Sequence, residues 1–551
     1  MLATQECAPP PIQTHRALAC VDLILEIIEQ TSPPSLSDST SDARDNHWHR
    51  KLLATLALVC KTFNGPATKA LWCRLDSFLP LMVILSAFDH KKSSTDSPAT
   101  YVCSDNPTLC AIIVVTDDRK KMISGDIPSH EFSRFRELGS YVQAVGPPWT
   151  TCVCHTELID PGSWHYLARL SPGEPLFPSL RELHWTVQDA SCTELLFLVS
   201  SSLRRLTVCY SGRSADSREW TLSQGMLFRT IFDIAPHLTH LVLRDIEDKL
   251  LPACLSHARL LRGLHVTPFD HGVFIGFDTL RIMSAMEALE ELSFGFDALS
   301  EDLVDFSGFN ALKTLEMTVL LTPTRLIFDV FSSPNLRKLS LNSRSEVLNH
   351  DEASAMATTL AQTFSAMEDL TWTLEIRDDV PMEAVVAPFL PLPLVRVRLE
   401  IFGVPESNLS DEFFATLPES RWSRLIELCV SVPCQPNTVA QLPGLSARTL
   451  LAFAQGCPQL RTLRLPQMHA PRLEDISSYP VLQHGLHTLG VDRLGELGDA
   501  GYVAWALVLD RLFPSLETTE PPQGHVVTGA EWSRLMSEVQ LCQLSRINRA
   551  M

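Results

Sequence analysis

No stretch of 18 consecutive apolar residues occurs anywhere in the chain, so no membrane-spanning helix is expected. An excess of cations is also missing: 45 Lys and Arg face 64 Asp and Glu, for a formal charge of −19. With no long basic run to offset that repulsion, nucleic acid is not an expected partner. The 15 cysteines are odd in number and share no repeated spacing, so they read as reduced, buried small hydrophobes, not as a disulfide framework. Pro9, Pro10 and Pro11 arrive before the apolar core of a signal peptide could form. These absences predict a cytoplasmic and/or nuclear location. P-loop, dinucleotide, metalloprotease and G-x-S-x-G motifs are missing too, so no enzyme and no cofactor are expected. Cys152, Cys154 and His155 are potential zinc ligands, but no second cluster follows at finger spacing and the adjacent pair converges poorly, so no metal is expected. Cys457 with His469 or His484 is a candidate nucleophile and base, yet Cys457 directly precedes Pro458, where a small buried residue is the ordinary reading. His47-Trp48-His49 reads as a solvated turn.

What the chain has is repetition. Its 551 residues are 45% hydrophobic, enough to bury a large core. From Leu180 onward the pattern L-x-x-L-x-apolar keeps returning, as Leu180, Leu183 and Trp185, then Leu203, Leu206 and Val208, on to Leu486, Leu489 and Val491. Phe513-Pro514-Ser515 before Leu516 echoes Phe177-Pro178-Ser179 before Leu180 and opens a truncated last unit. Leu180 to Leu516 spans 336 residues in 12 intervals of 23 to 35, a mean of 28. That period resembles the leucine-rich repeat, although the Asn or Cys usual after the third apolar position is missing. The second and third apolar residues point inward along a short strand while the first packs beneath its entry. Helical spacing fills the gaps, for example at Gln224 to Ile234 and Ala353 to Phe364. A strand and a helix per unit give an α/β solenoid, an irregular leucine-rich-repeat horseshoe.

Alternate strand residues should line up on its concave face: Glu182 and His184, Arg205 and Thr207, His240 and Arg244, His265, Glu291, Glu316, Lys338, Arg396 and Arg398, Glu427, and Arg464. Among these, His184, Arg205, His240, Arg244, His265, Arg396, Arg398 and Arg464 are the candidate substrate-binding residues, with Arg396, Arg398 and Arg464 favouring an acidic partner. Thirteen strands about 4.8 Å apart would span about 60 Å, room for a folded domain or a long peptide.

Before the repeats, three amphipathic helices are expected. Leu18, Val21, Ile24, Leu25 and Ile28 fall at helical spacing, flanked by Asp22, Glu26 and Glu29. Leu52, Leu56, Val59 and Phe63 form one stripe and Leu53, Ala57 and Cys60 a second, so this face is too wide for one neighbour. Gly65-Pro66 should end that helix and start a third carrying Ala67, Ala70, Leu71, Trp72 and Leu75.

His15-Arg16-Ala17-Leu18, the run from Val21 to Ile28, Val59-Cys60-Lys61-Thr62-Phe63 and Leu71-Trp72-Cys73-Arg74-Leu75 together resemble the F-box. Val21 stands where that family usually has Pro, and Asp22 where it has Glu. With the repeats, the chain resembles F-box and leucine-rich-repeat proteins of the kind abundant in mushroom-forming fungi. The resemblance implies a substrate receptor of an SCF ubiquitin ligase, bound through a Skp-type adaptor to a cullin scaffold and holding an unknown protein substrate on its repeats. It implies Leu18, Val21, Ile24, Leu25, Val59 and Cys60 as adaptor-binding residues, with Leu71 and Trp72 in the module's own core. The alternative is a non-enzymatic interaction scaffold unconnected to ubiquitination, its N-terminal helices only capping the array.

The expected organisation is a disordered stretch at 1–14, an F-box-like helical module at 15–90 with a mobile insertion at 31–46, a linker and N-terminal cap at 91–175, repeats at 176–520, and a C-terminal capping helix at 521–551. Thr528 and Glu531 have capping-box spacing before that helix.

Overall fold

The computed structural model describes residues 20–31, 43–88, 122–146, 159–187, 193–210, 218–267, 275–296, 306–319, 328, 330–377, 381–403, 409–417, 422–432, 445–471, 473–494, 498–517 and 529–550. The chain divides into two compact units, one of Met1–Asp245 with Ser256–Leu260 and the other of Ile246–Leu255 with Leu261–Met551.

The repeat begins with a turn. Leu203, Leu238 and Leu289 each donate a backbone N–H to the carbonyl three residues earlier, at Ser200, Ala235 and Met286, and their side chains are fully buried. The next two amides share one carbonyl of the preceding repeat, as Arg204 and Arg205 do at Arg181 and as Lys313 and Thr314 do at Glu290. Register is therefore set before each strand starts, and a parallel ladder follows from it.

In the first unit the ladder runs β1 (Arg74–Leu75), β2 (Ala144–Val145), β3 (Glu182–Val187), β4 (Arg205–Tyr210) and β5 (His240–Arg244), each parallel to the next. In the second it runs β6 (Gly263–Thr267), β7 (Glu291–Phe296), β8 (Thr314–Val319), β9 (Lys338–Leu348), β10 (Asp369–Ile376), β11 (Arg396–Phe402), β12 (Glu427–Ser431), β13 (Thr462–Met468) and β14 (Thr488–Leu494), again parallel and in chain order. Helices or helical turns lie between most successive strands. Each unit is thus a mixed α/β, solenoid-like repeat.

The ladder starts earlier than the leucine pattern indicates. β1 and β2 have two residues each, too short to show any period. At the other end Leu516 forms the expected entry turn and Glu517 donates to the His487 carbonyl, but no strand follows among the described residues.

Among the described residues three helices precede β1: α1 (Val21–Thr31), α2 (Ala43–Val59) and α3 (Lys61–Cys73). Ile24, Ile28, Leu53, Phe63 and Ala67 form their shared core, with Leu56, Ala57, Cys60, Ala70 and Leu71 packed against it. The expected helix break at Gly65-Pro66 is corrected. Extended backbone at Cys60 (φ −161°, ψ 168°) separates α2 from α3, which runs through Pro66. Thr31 and residues 43–46 of the expected insertion are helical, and the rest of it lies outside the described residues.

The helices are not set apart from the ladder by a linker. α3 leads straight into β1, and Arg50 on α2 reaches both Asp76 carboxylate oxygens at 2.6 and 2.9 Å and the Arg74 carbonyl at 3.1 Å. Just beyond, Phe78 lies 5.0 Å from Trp164 and 4.8 Å from Phe177, filling the core under the first strands. Trp164 belongs to a helix at Pro161–Leu170, started by Asp160, which accepts from the Gly162 N–H. In the second unit a helix at Gly529–Ala550 packs along Asp499–Leu512 through Trp532, Leu535, Met536 and Val539, all buried. Thr528, the expected cap, lies outside the described residues.

Candidate functional site

Two surfaces gather the candidate residues: one end of the helical module, and the strand faces of the repeats. On the module, the His49 Nδ1 lies 2.9 Å from the Thr31 carbonyl, which places the first half of α2 beside the end of α1. Ile24, about two turns back along α1 from Thr31, shares a core with Leu53, further along α2, so α1 runs back against α2. From His49 to Val59 is about 15 Å of helix at 1.5 Å per residue, close to the length of α1. The start of α1, the end of α2 and the start of α3 therefore share one end, while Arg50 fastens the opposite end to β1.

That far end is apolar and open, and apolar exposure also continues to Ile27 at 43% on α1 and to Trp48 at 59% on α2. Leu23 and Leu25 are each 49% exposed, Val59 56% and Leu58 86%. α1 has apolar side chains on more than one face, and only its Ile24–Ile28 stripe turns inward. Of the sequence-predicted adaptor residues, Leu25 and Val59 are open and Cys60 is partly buried, whereas Ile24 belongs to the module's own core. Leu18 lies outside the described residues, and Val21 opens α1. Leu23 and Leu58 were missed because helical period alone does not say which of two apolar stripes faces in. The Cys60 thiol is shifted below its usual pKa, chiefly by the Phe63 backbone N–H at the start of α3.

On the strand faces, register decides what each charge meets. Arg396 pairs with Asp369, Arg398 with Glu427 at 2.8 Å and Arg464 with Asp492 at 2.8 Å. Asp492 is buried and also accepts from Ser431 Oγ at 2.9 Å and the Val432 N–H at 3.2 Å. Each of these three arginines, expected to favour an acidic partner, thus meets a carboxylate of a neighbouring strand. Lys338, Asp369, Arg396 and Glu427 sit side by side in register, an alternating row that stabilises the sheet.

In the first unit Glu182, Arg205 and His240 share one row, and His184 and Thr207 another. His184 fits because Gly146 beside it has no side chain; a Cβ there would come within 2.3 Å of the His184 Cβ. Its Nε2 lies 3.4 Å from Cys209 Sγ. His240 Nδ1 is 2.9 Å from Thr239 Oγ1, and Arg244 ends β5 in register with Cys209. His265 lies on β6 in the second unit, in register with Ser293.

Cys457 is buried, and burial pushes its thiol up to about 12. His484 Nε2 meets the Cys457 carbonyl at 2.9 Å, not the sulfur, so the pair is a packing contact. A surface hollow of about 330 Å³ at the strand entries is lined by Ile426, Pro458, Gln459, Arg461, Gly485 and His487. It gathers no nucleophile with a base. Among the described residues no three His, Cys, Asp or Glu side chains are grouped to hold a metal, and Cys152, Cys154 and His155 lie outside them. No described helix is long and apolar enough to cross a membrane.

No family model matches the chain. No curated protein matches it in sequence either. Among solved structures it is similar to a chain in the crystal structure of the Rad7 and Elc1 complex in yeast, with 15% identity over 65% of this chain and 82% of that chain and a TM-score of 0.34.

Proposed function

We propose that this chain is the substrate-recognition subunit of an SCF-type ubiquitin ligase, working in the cytoplasm and/or nucleus. The far end of the helical module binds a Skp-type adaptor, and the repeat strands hold the target protein. The chain itself does no chemistry; it supplies proximity and orientation while the cullin assembly brings up a charged conjugating enzyme.

The observation that carries this reading is the apolar end formed by Leu23, Leu25, Leu58 and Val59. A cap serving only the solenoid would bury such residues against the first strand. Here they stay exposed, which leaves them available to another molecule. Finishing their burial contributes about 1 kcal/mol each, roughly half of the about 8 kcal/mol that a micromolar complex requires, and the remaining contacts of the interface supply the rest. The Arg50 clamp onto Arg74 and Asp76 favours a capping role for the near end, which the docking role of the far end leaves intact.

Calorimetric titration of the full chain with a purified Skp-type adaptor tests the proposal. Micromolar or tighter binding is expected, lost in Leu25→Asp and in Val59→Asp. A folded wild-type chain that does not bind would move the protein to the class of stand-alone interaction scaffolds.

A further inference from the structure

The hollow of about 330 Å³ in the second unit lies between two entry turns, 458–461 before β13 and 485–487 before β14, with Ile426 at its side. Its walls are fixed from beneath. The Cys457 carbonyl, just before the first turn, accepts the Leu460 N–H at 3.0 Å and meets His484 Nε2 at 2.9 Å. His484, just before the second turn, is buried with its ring 5.3 Å from that of Phe513. The two turns are thus stapled together, and the hollow is formed before anything enters it.

Along this edge the strand-entry residues stand in a row. Arg461, His487 and Glu517 donate their N–H groups to the carbonyls of Ile426, Arg461 and His487, at 2.8, 2.9 and 2.8 Å. Ile426 is 38% exposed, an aliphatic surface that shares the hollow with Pro458. His487 Nδ1 lies 3.5 Å from a Glu517 carboxylate oxygen, so any charge on that imidazole is already answered. Arg461 is exposed and joins no ion pair among the described residues, unlike Arg464, which Asp492 holds. One uncompensated guanidinium therefore sits beside one open aliphatic patch, in a hollow at the small end of the range for ligand pockets, about 300–1,000 Å³.

We infer that this hollow binds the C-terminal residue of the target protein, its carboxylate on Arg461 and its apolar side chain on Ile426 and Pro458. This rests on the reading of the repeats as the target-holding surface. A planar guanidinium fork suits a carboxylate. An α-carboxylate at a chain end carries an apolar side chain on the same carbon, which the carboxylate of an internal Asp or Glu does not. A phosphate would bring a second negative charge toward Glu517, where a single charge matches the single free cation.

The test uses the full chain and an N-terminally labelled peptide, Gly-Ser-Gly-Ser-Gly-Leu with a free carboxylate, with fluorescence anisotropy as readout. Wild type should bind it with an affinity that falls as salt rises. The C-terminal amide of the same peptide should bind about tenfold more weakly, and a version ending in Gly about fivefold more weakly. Arg461→Gln should lose about tenfold for the acid and hold acid and amide alike within about twofold, a coupling that misfolding cannot imitate. Gly485→Leu fills the hollow at a position where an added Cβ meets nothing within 4 Å; it should weaken binding at least about tenfold with no fall in melting temperature. Arg337→Gln, at an entry residue held by Glu368, should leave binding within about twofold.

No binding of the free acid by wild type, equal binding of acid and amide, or preference for an amidated phosphoserine peptide would each overturn the inference. Displacement of the peptide by an equal concentration of free isocaproate would overturn it too, by making the hollow a small-molecule site. Adaptor affinity, measured on the same variants, should not change. Its absence in wild type would sink the ligase reading, whereas intact adaptor binding without peptide binding would sink this inference alone.

Discussion

Truncating Phe78 should loosen the helical module and the first repeat together. The ring is 4% exposed and contacts Trp164 and Phe177 at centroid distances of 5.0 and 4.8 Å, between the end of β1 and the entry of β3. Phe78→Ala removes a buried aromatic side chain whose rigid neighbours cannot collapse into the space, which costs about 3–5 kcal/mol. Phe78→Leu keeps most of the volume and costs about 1–1.5 kcal/mol. Against a typical domain stability of about 5–15 kcal/mol the first loss is large. Hydrogen exchange gives the sharper reading: amides of α3, β2 and β3 should lose protection in parallel, by about 10²–10³-fold. Val83→Ala, at a residue 50% exposed, should change stability by less than about 0.5 kcal/mol. Faster exchange confined to β3, with α1–α3 as protected as before, would refute the claim that α3 and the first strands form one packed body.

Three further outcomes follow from particular contacts. Burial works against the charge of Asp411, but hydrogen bonds from Ser446 and Thr449 hold its pKa below the usual carboxylate value. That stability is present above the unfolded pKa and lost as pH falls through the lower folded one, so Asp411→Asn should cost about 1–2 kcal/mol at neutral pH and nearly nothing in acid, by thermal melts across pH. Pro66 leaves the Thr62 carbonyl without its helical donor, so Pro66→Ala should raise stability by about 1–2 kcal/mol; a loss would restore the helix break to Gly65-Pro66. Cys60 should alkylate well before Cys254 and Cys457, whose thiols burial pushes up to about 12, and equal rates by mass spectrometry would contradict its placement.

The repeats were legible because L-x-x-L-x-apolar encodes a turn and a strand in six residues. Leu203, Leu206 and Val208 are all fully buried, as the pattern requires. β1 and β2 were not legible, since Arg74–Leu75 and Ala144–Val145 carry no periodicity and gain their partners only through tertiary packing. Gly65-Pro66 has the composition of a helix break, yet the extended backbone at Cys60 takes that role, and Pro66 sits in a helix held by Phe63 and Ala67 in the core. For the binding surfaces, sequence placed Arg396 and Arg398 on strand faces but did not supply the register that sets Asp369 and Glu427 beside them.

The central claim is that the far end of the helical module docks a Skp-type adaptor. Hydrogen exchange of the full chain with and without purified adaptor tests it most directly. The account predicts slowed exchange in α1 and in the last turns of α2, with the strand ladder unchanged. Slowing confined to the repeat strands, or no change anywhere at saturating adaptor, would contradict it.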